Sequence, residues 1–109
     1  MKAAEIDAIR LWCREREPEH AWSRRRVEPI VTGRHIDLVL VEASDAGEAR
    51  STFARLRYLH TGWWFLYWRD GDGSFQIYRP FPAVGEVQKV LDFLASDPDP
   101  LFWVEPGAR

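Results

Sequence analysis

Polar and apolar positions alternate through the middle of the chain as in strands, whereas near both ends apolar positions recur every three or four residues, as in helices. AAEIDAIRLWCRER (3–16) sets Ile6, Ile9 and Cys13 at i, i+3 and i+7, with Trp12 beside them and charge elsewhere. That spacing predicts an amphipathic helix, which Pro18 stops because proline disfavours helical geometry in the residue before it. RRRVEPIV (24–31) and HIDLVLVE (35–42) predict two strands joined around TGR, since Val27 and Val31, then Ile36, Leu38 and Leu40, alternate with polar residues. Pro29 lacks an amide donor and assigns the first of these strands to a sheet edge. SDAGEAR (44–50) has no periodicity and is expected to be a polar loop. AVGEVQKVLDFLAS (83–96) carries a second helical stripe of Val84, Val87, Leu91 and Leu94, with Val90 adjoining. Prolines in DPDPLFWVEPG end that helix, and the apolar residues 101 to 104 are expected to tuck against the core or extend an edge.

Between these ends the register of three strands follows from glycine positions. If residues 60 to 62 form a three-residue hairpin loop, Gly62 takes its left-handed position, and STFARLRYL (51–59) pairs with the strand beginning at Trp63. Ala54, Leu56, Tyr58, Trp64, Leu66 and Trp68 then share one face, while Arg55, Arg57, Phe65 and Tyr67 share the other. The DGDG stretch at 70–73 reads as a four-residue loop with Gly73 left-handed, which pairs Arg69 with Ser74, Tyr67 with Gln76 and Phe65 with Tyr78. The expected fold is α+β: a five-stranded antiparallel meander sheet with N-terminal and C-terminal helices packed on one face, in one domain spanning 1–109.

Composition sharpens this in a few respects. A hydrophobic content of 46% with 29% charged residues over 109 positions is globular, and it provides enough apolar mass for one core. The longest apolar run, Trp63 to Trp68, is far short of the roughly 18–20 residues a membrane span requires. The start of the chain has no apolar signal-peptide core, and Cys13 has no second cysteine to bridge, so a reducing, cytoplasmic setting without a membrane role is expected. The net charge of −2 gives no global attraction to nucleic acid. Locally, residues 51–79 carry Arg55, Arg57, Arg69 and Arg79 against Asp70 and Asp72, so the aromatic strands form the basic part of the chain.

Little in the sequence resembles a reaction centre. His20, His35 and His60 are far apart and Cys13 stands alone, so neither a metal nor a cofactor is expected. The DGDG loop lacks the further oxygen ligands and distant glutamate of a calcium loop and reads as a turn. Cys13 falls on the apolar stripe of a helix, where a buried structural thiol is expected rather than a nucleophile. No phosphate-cradling glycine loop or nucleophile elbow is present, so an enzyme finds no support in the residues; a small enzyme, if there is one, needs a pocket near His35 or His60.

Several landmarks in fixed order, WCRER, VEAS, FARLRY, GWWFLYWRD and SDPDPLFW, resemble a family of small bacterial proteins known as domain of unknown function 3024. The resemblance spans most of the chain and departs from the family pattern at SFQIYRPFP, where the family has a tryptophan-histidine-tyrosine run. It implies a shared fold and a bacterial origin, and carries no activity, cofactor or catalytic residue with it.

The remaining constellation is the second sheet face: Arg55, Arg57, Phe65, Tyr67, Gln76 and Tyr78, with Phe53 and Arg69 near one end. Arginine interleaved with rings can anchor a protein partner or another copy of the chain, and the alternative use is to stack and neutralise single-stranded nucleic acid. The same residues also have a purely structural use as cross-strand cation-π pairs, Arg57 over Phe65 and Arg55 over Tyr67. A non-enzymatic binding domain is therefore the expectation, with this face as its contact surface.

Overall fold

The computed structural model describes residues 2–59 and 61–96. His60 and residues 97–109, including the expected apolar segment 101–104, lie outside the described residues. Helix α1 (Ala3–Arg14) begins with a cap in which the Lys2 backbone N–H donates to Glu5 Oε1 at 2.8 Å. Ile9, Trp12 and Cys13 form its buried stripe. A short 3-10 turn, Glu19–Ala21, follows Pro18 and leads into the sheet. The described strands are β1 (Arg25–Thr32), β2 (His35–Ser44), β3 (Gly47–Tyr58), β4 (Trp64–Arg69) and β5 (Phe75–Ile77). They pair antiparallel in sequence order as one five-stranded meander. Helix α2 (Val87–Ala95) completes the α+β fold. No helix among the described residues is long and apolar enough to cross a membrane.

Both helices cover the same side of the sheet. Ile9, Trp12 and Cys13 of α1 and Val87, Val90, Leu91 and Leu94 of α2 meet Val27, Ile36, Leu38, Leu56, Trp64 and Leu66 in one core. Trp64 is fully enclosed, and its indole N–H donates to Glu5 Oε2 at 2.8 Å, so the largest core side chain is also tied to the first turn of α1. β1 lies at an edge, as Pro29 requires. Ala43 N–H donates to the Arg24 carbonyl at 2.7 Å, so even-numbered residues of β1 turn their peptide groups toward β2 and Pro29 faces outward, where its missing donor breaks no ladder bond.

Four details differ from the expectation. Residues 47–50 extend β3, because the chain reverses at Asp45 and Ala46, between the paired residues Ser44 and Gly47. The extension is held by ion pairs: Arg26 reaches Glu48, and Arg50 reaches Glu28, each at 3.1 Å. Helix α2 starts at Val87, later than expected, because Val84 is taken up by a β-bridge to Trp64 with backbone hydrogen bonds of 2.7 and 3.1 Å. Pairing slips by one residue between Leu38 and Val39, leaving Phe53 as the extra residue of a bulge. Phe53 and Ala54 are consequently both buried in the helix-side core, and Phe53 does not belong to the open face.

The fourth difference bears on function. β3 and β4 pair as expected, Arg55 with Tyr67 and Arg57 with Phe65, around a loop in which Gly62 has φ +90°. The β4–β5 loop, in contrast, is one residue longer than the glycine position implied. Asp70 N–H donates to the Ser74 carbonyl, while the Asp70 carboxylate accepts from the N–H groups of Asp72 and Ser74 at 2.9 and 3.0 Å. This side-chain turn sets Arg69 opposite Phe75, Trp68 opposite Gln76 and Tyr67 opposite Ile77. A shift of one residue exchanges the faces of a strand. Tyr78 is accordingly buried on the helix side with its ring 5.8 Å from that of Phe93, and Gln76 folds back to donate to Asp70 Oδ2 at 3.1 Å. Neither lies on the open face; Phe75 and Ile77 take their places.

Candidate functional site

Alternation along the strands fixes what the helix-free face displays. β2 supplies His35, Asp37, Val39 and Val41; β3 supplies Arg57, Arg55, Thr52 and Arg50; β4 supplies Phe65, Tyr67 and Arg69. Thr52 points outward because the bulge at Phe53 reverses the alternation beyond it. Trp63, just before β4, is 48% exposed, and Ile77 of β5 is 38% exposed.

One half of this face is closed on itself. Val39 and Val41 are buried although no helix lies over them. Val41 pairs with Arg26 on one side and Arg50 on the other, and Val39 pairs with Glu28 and Thr52. Arg26 bonds Glu28 and Glu48, and Arg50 bonds Glu28, so four long side chains lie over the two valines and meet above them. Partial desolvation would raise the Glu28 pKa, but the hydrogen bonds and charges of Arg26 and Arg50 outweigh it and hold the carboxyl below its ordinary value. Such a lattice is already satisfied and offers little to a ligand.

Arg55 forms the border. Its guanidinium makes a two-pronged contact with Asp37, Nε to Oδ1 at 2.6 Å and Nη2 to Oδ2 at 3.1 Å, and lies 3.9 Å from the Phe75 ring centre. The ring beneath Arg55 is thus Phe75, brought there by the slipped register, and not Tyr67. Arg55 serves the sheet itself.

Beyond that border the face is open. Phe65, Tyr67 and Arg69 run along β4, flanked by Arg57 on β3 and by Phe75 and Ile77 on β5. Arg57 and Arg69 make no ion pair among the described residues. Arg69 sits under the β4–β5 loop, where a Cβ at Gly73 would come within 3.4 Å of its Nη2. Across the middle of the sheet a shallow hollow of about 460 Å³ is lined by residues of all five strands, among them Ile30, Asp37, Thr52, Arg50, Arg69 and Phe75.

Four of the six expected contact residues, Arg55, Arg57, Phe65 and Tyr67, share this face; Gln76 and Tyr78 do not. Sequence reasoning missed Phe75 and Ile77, and the signal that would have found them is Asp70, whose carboxylate favours a wider turn. His35 pairs with Arg57 near one end of the face. No group of three or more His, Cys, Asp or Glu side chains among the described residues is placed to hold a metal ion. Burial pushes the Cys13 thiol up to about 12 despite the opposing charge of Arg16, which leaves it a poor nucleophile.

Residues 1–104 match the family described as Domain of unknown function (DUF3024). No curated protein and no solved structure matches the chain.

Proposed function

Since the chain belongs to the DUF3024 family, whose description assigns no activity, we infer its role from the sheet: a small binding domain whose open face contacts an acidic partner protein. The observation that carries this reading is the contrast between the two halves of one face. Arg26, Arg50 and Arg55 are neutralised by Glu28, Glu48 and Asp37, whereas Arg57 and Arg69 flank the half-buried rings of Phe65 and Tyr67 without a carboxylate among the described residues. Rings that supply rigid contact area, bracketed by cations, are the composition of a protein contact with acidic complement.

Charge also favours a foreign partner over a second copy. The face carries five arginines (26, 50, 55, 57 and 69) against three acids (Glu28, Asp37 and Glu48), a surplus of two positive charges. Two such faces laid together would set the unneutralised arginines against each other without a spare carboxylate.

The test combines affinity capture with light scattering. Wild type should retain a defined partner that Arg57→Glu with Tyr67→Ala releases and that Gln88→Ala, on the helix side, leaves bound. Retention unaffected by the open-face pair would overturn the reading. A concentration-dependent dimer abolished by the same pair would replace the foreign partner with a second copy. Salt-sensitive binding of mixed single-stranded oligonucleotides would replace it with nucleic acid.

A further inference from the structure

A second concave surface lies between α1 and the unpaired edge of β1, where Arg26, Glu28 and Ile30 from the border of the helix-free face also reach it. Its volume is about 430 Å³, within the range of small-molecule sites, roughly 300–1,000 Å³. Trp22, Val27, Pro29 and Ile30 supply apolar walls around the buried Cys13, and Arg10, Arg14 and Arg26 bring guanidinium groups to the lining. The walls follow from the chain path. Pro18 ends α1, the 3-10 turn brings Trp22 back toward the helix, and its indole N–H is satisfied by the Glu17 carbonyl at 2.8 Å, leaving the ring as surface. Pro29 contributes no N–H to the outward edge.

Of the groove's three arginines, Arg26 is balanced by Glu28 and Glu48, but Arg10 and Arg14 are not. Arg10 and Arg14 are four residues apart on one helix, a spacing at which like charges destabilise the helix. Arg10 has only a long 4.0 Å contact with Asp7, both side chains being more than half exposed, and Arg14 makes no ion pair among the described residues. The one acid in the lining, Glu28, is already shared by Arg26 and Arg50. A position C-terminal on the helix accounts for one cation in the last turn, Arg14, but not for Arg10 one turn earlier. Cys13 adds no negative charge, because its enclosed thiol stays protonated.

From this juxtaposition we propose that the groove binds a small amphiphilic carboxylate, its carboxylate bridged by Arg10 and Arg14 and its short apolar body laid over Trp22, Pro29 and Ile30. Guanidinium pairs recognise carboxylates through charge-assisted hydrogen bonds. The apolar walls distinguish such a ligand from a bare inorganic anion. No bond is made or broken; the site is one of capture.

Amide NMR titrations of the 109-residue chain test this, with sodium octanoate, 1-octanol and inorganic phosphate as probes. Octanoate should shift the amides of residues 10–14 and 26–30 in a saturable way, while octanol and phosphate bind there more weakly by about tenfold or more. Arg10→Glu with Arg14→Glu should weaken octanoate by about the same factor and leave octanol unchanged, with circular dichroism confirming the fold. Equal binding of octanol, equal binding of phosphate, or no saturable shift with octanoate up to its solubility limit would each overturn the proposal. None of these results depends on Arg57 or Tyr67, on which the proposed partner contact is tested.

Discussion

Removing the carboxylate of Asp37 tests the border residue Arg55 most directly. In Asp37→Ala the guanidinium loses two hydrogen bonds, of 2.6 and 3.1 Å, and keeps only its contact with the Phe75 ring at 3.9 Å. The pair is neither on the surface nor in the core: the side chains are 27% and 19% exposed. Fully exposed pairs contribute about 0–1 kcal/mol, and breaking a buried pair costs about 3–5 kcal/mol. A loss of about 1–2 kcal/mol is expected between these limits. With an unfolding entropy of about 2.1 cal/mol/K per residue, that corresponds to a drop in Tm of about 4–9 °C for a chain of this length. The assay is thermal unfolding of Asp37→Ala, Arg55→Ala and the double variant. A coupling energy of about 0.5–1.5 kcal/mol is expected from the cycle, since the two residues touch. Coupling indistinguishable from zero would mean that the two-pronged contact contributes nothing and that Arg55 is held by Phe75 alone, making it a free cation of the open face after all.

Three further outcomes follow from the core and the loops. Glu5→Ala leaves the indole N–H of fully buried Trp64 without its acceptor and should cost about 1–3 kcal/mol in chemical denaturation, whereas Glu5→Gln, which keeps an acceptor oxygen, should cost less. The Cys13 thiol ionises at about 12 in the folded chain against 9.0 when free, so the unfolded chain loses its proton first. Stability should therefore fall as pH rises from about 9 to about 12, and the fall should be smaller in Cys13→Ala, as measured by denaturation midpoints across that window. Gly73→Ala places a side chain at φ +84° with Arg69 Nη2 3.4 Å from the new Cβ. It should lower stability by about 1 kcal/mol, read from the same midpoints.

What could be read from the residues depended on where each turn's conformation was decided. At the β3–β4 hairpin the backbone decided it: Gly62 takes a left-handed φ, and that one position fixed Arg55 opposite Tyr67 and Arg57 opposite Phe65. At the next hairpin Gly73 is also left-handed, but the Asp70 carboxylate accepts two backbone N–H groups and widens the loop. Hydrogen bonds from Gln76 hold that carboxyl below its ordinary pKa against partial desolvation, with the Ser74 and Asp72 amides adding to the effect. A side-chain bond of this kind outweighs a glycine rule, and it exchanged Gln76 and Tyr78 for Phe75 and Ile77. The bulge at Phe53 left no local trace, because it is set by packing: Phe53 and Ala54 both go inward under the helices. The strand at 47–50 was hidden for a related reason, since its support is charge on a neighbouring strand, Glu28 and Arg26, and not periodicity of its own.

The hydrogen bond between Glu5 and Trp64 joins residues 59 positions apart. During synthesis α1 leaves the ribosome before the sheet does, yet its anchoring acceptor has no donor until 59 further residues have been added. Until then the apolar stripe of Ile9, Trp12 and Cys13 has no finished sheet to lie on. The nascent protein must therefore either shelter this segment or tolerate its exposure, so the N-terminal helix is the element whose docking comes late in the life of each new molecule.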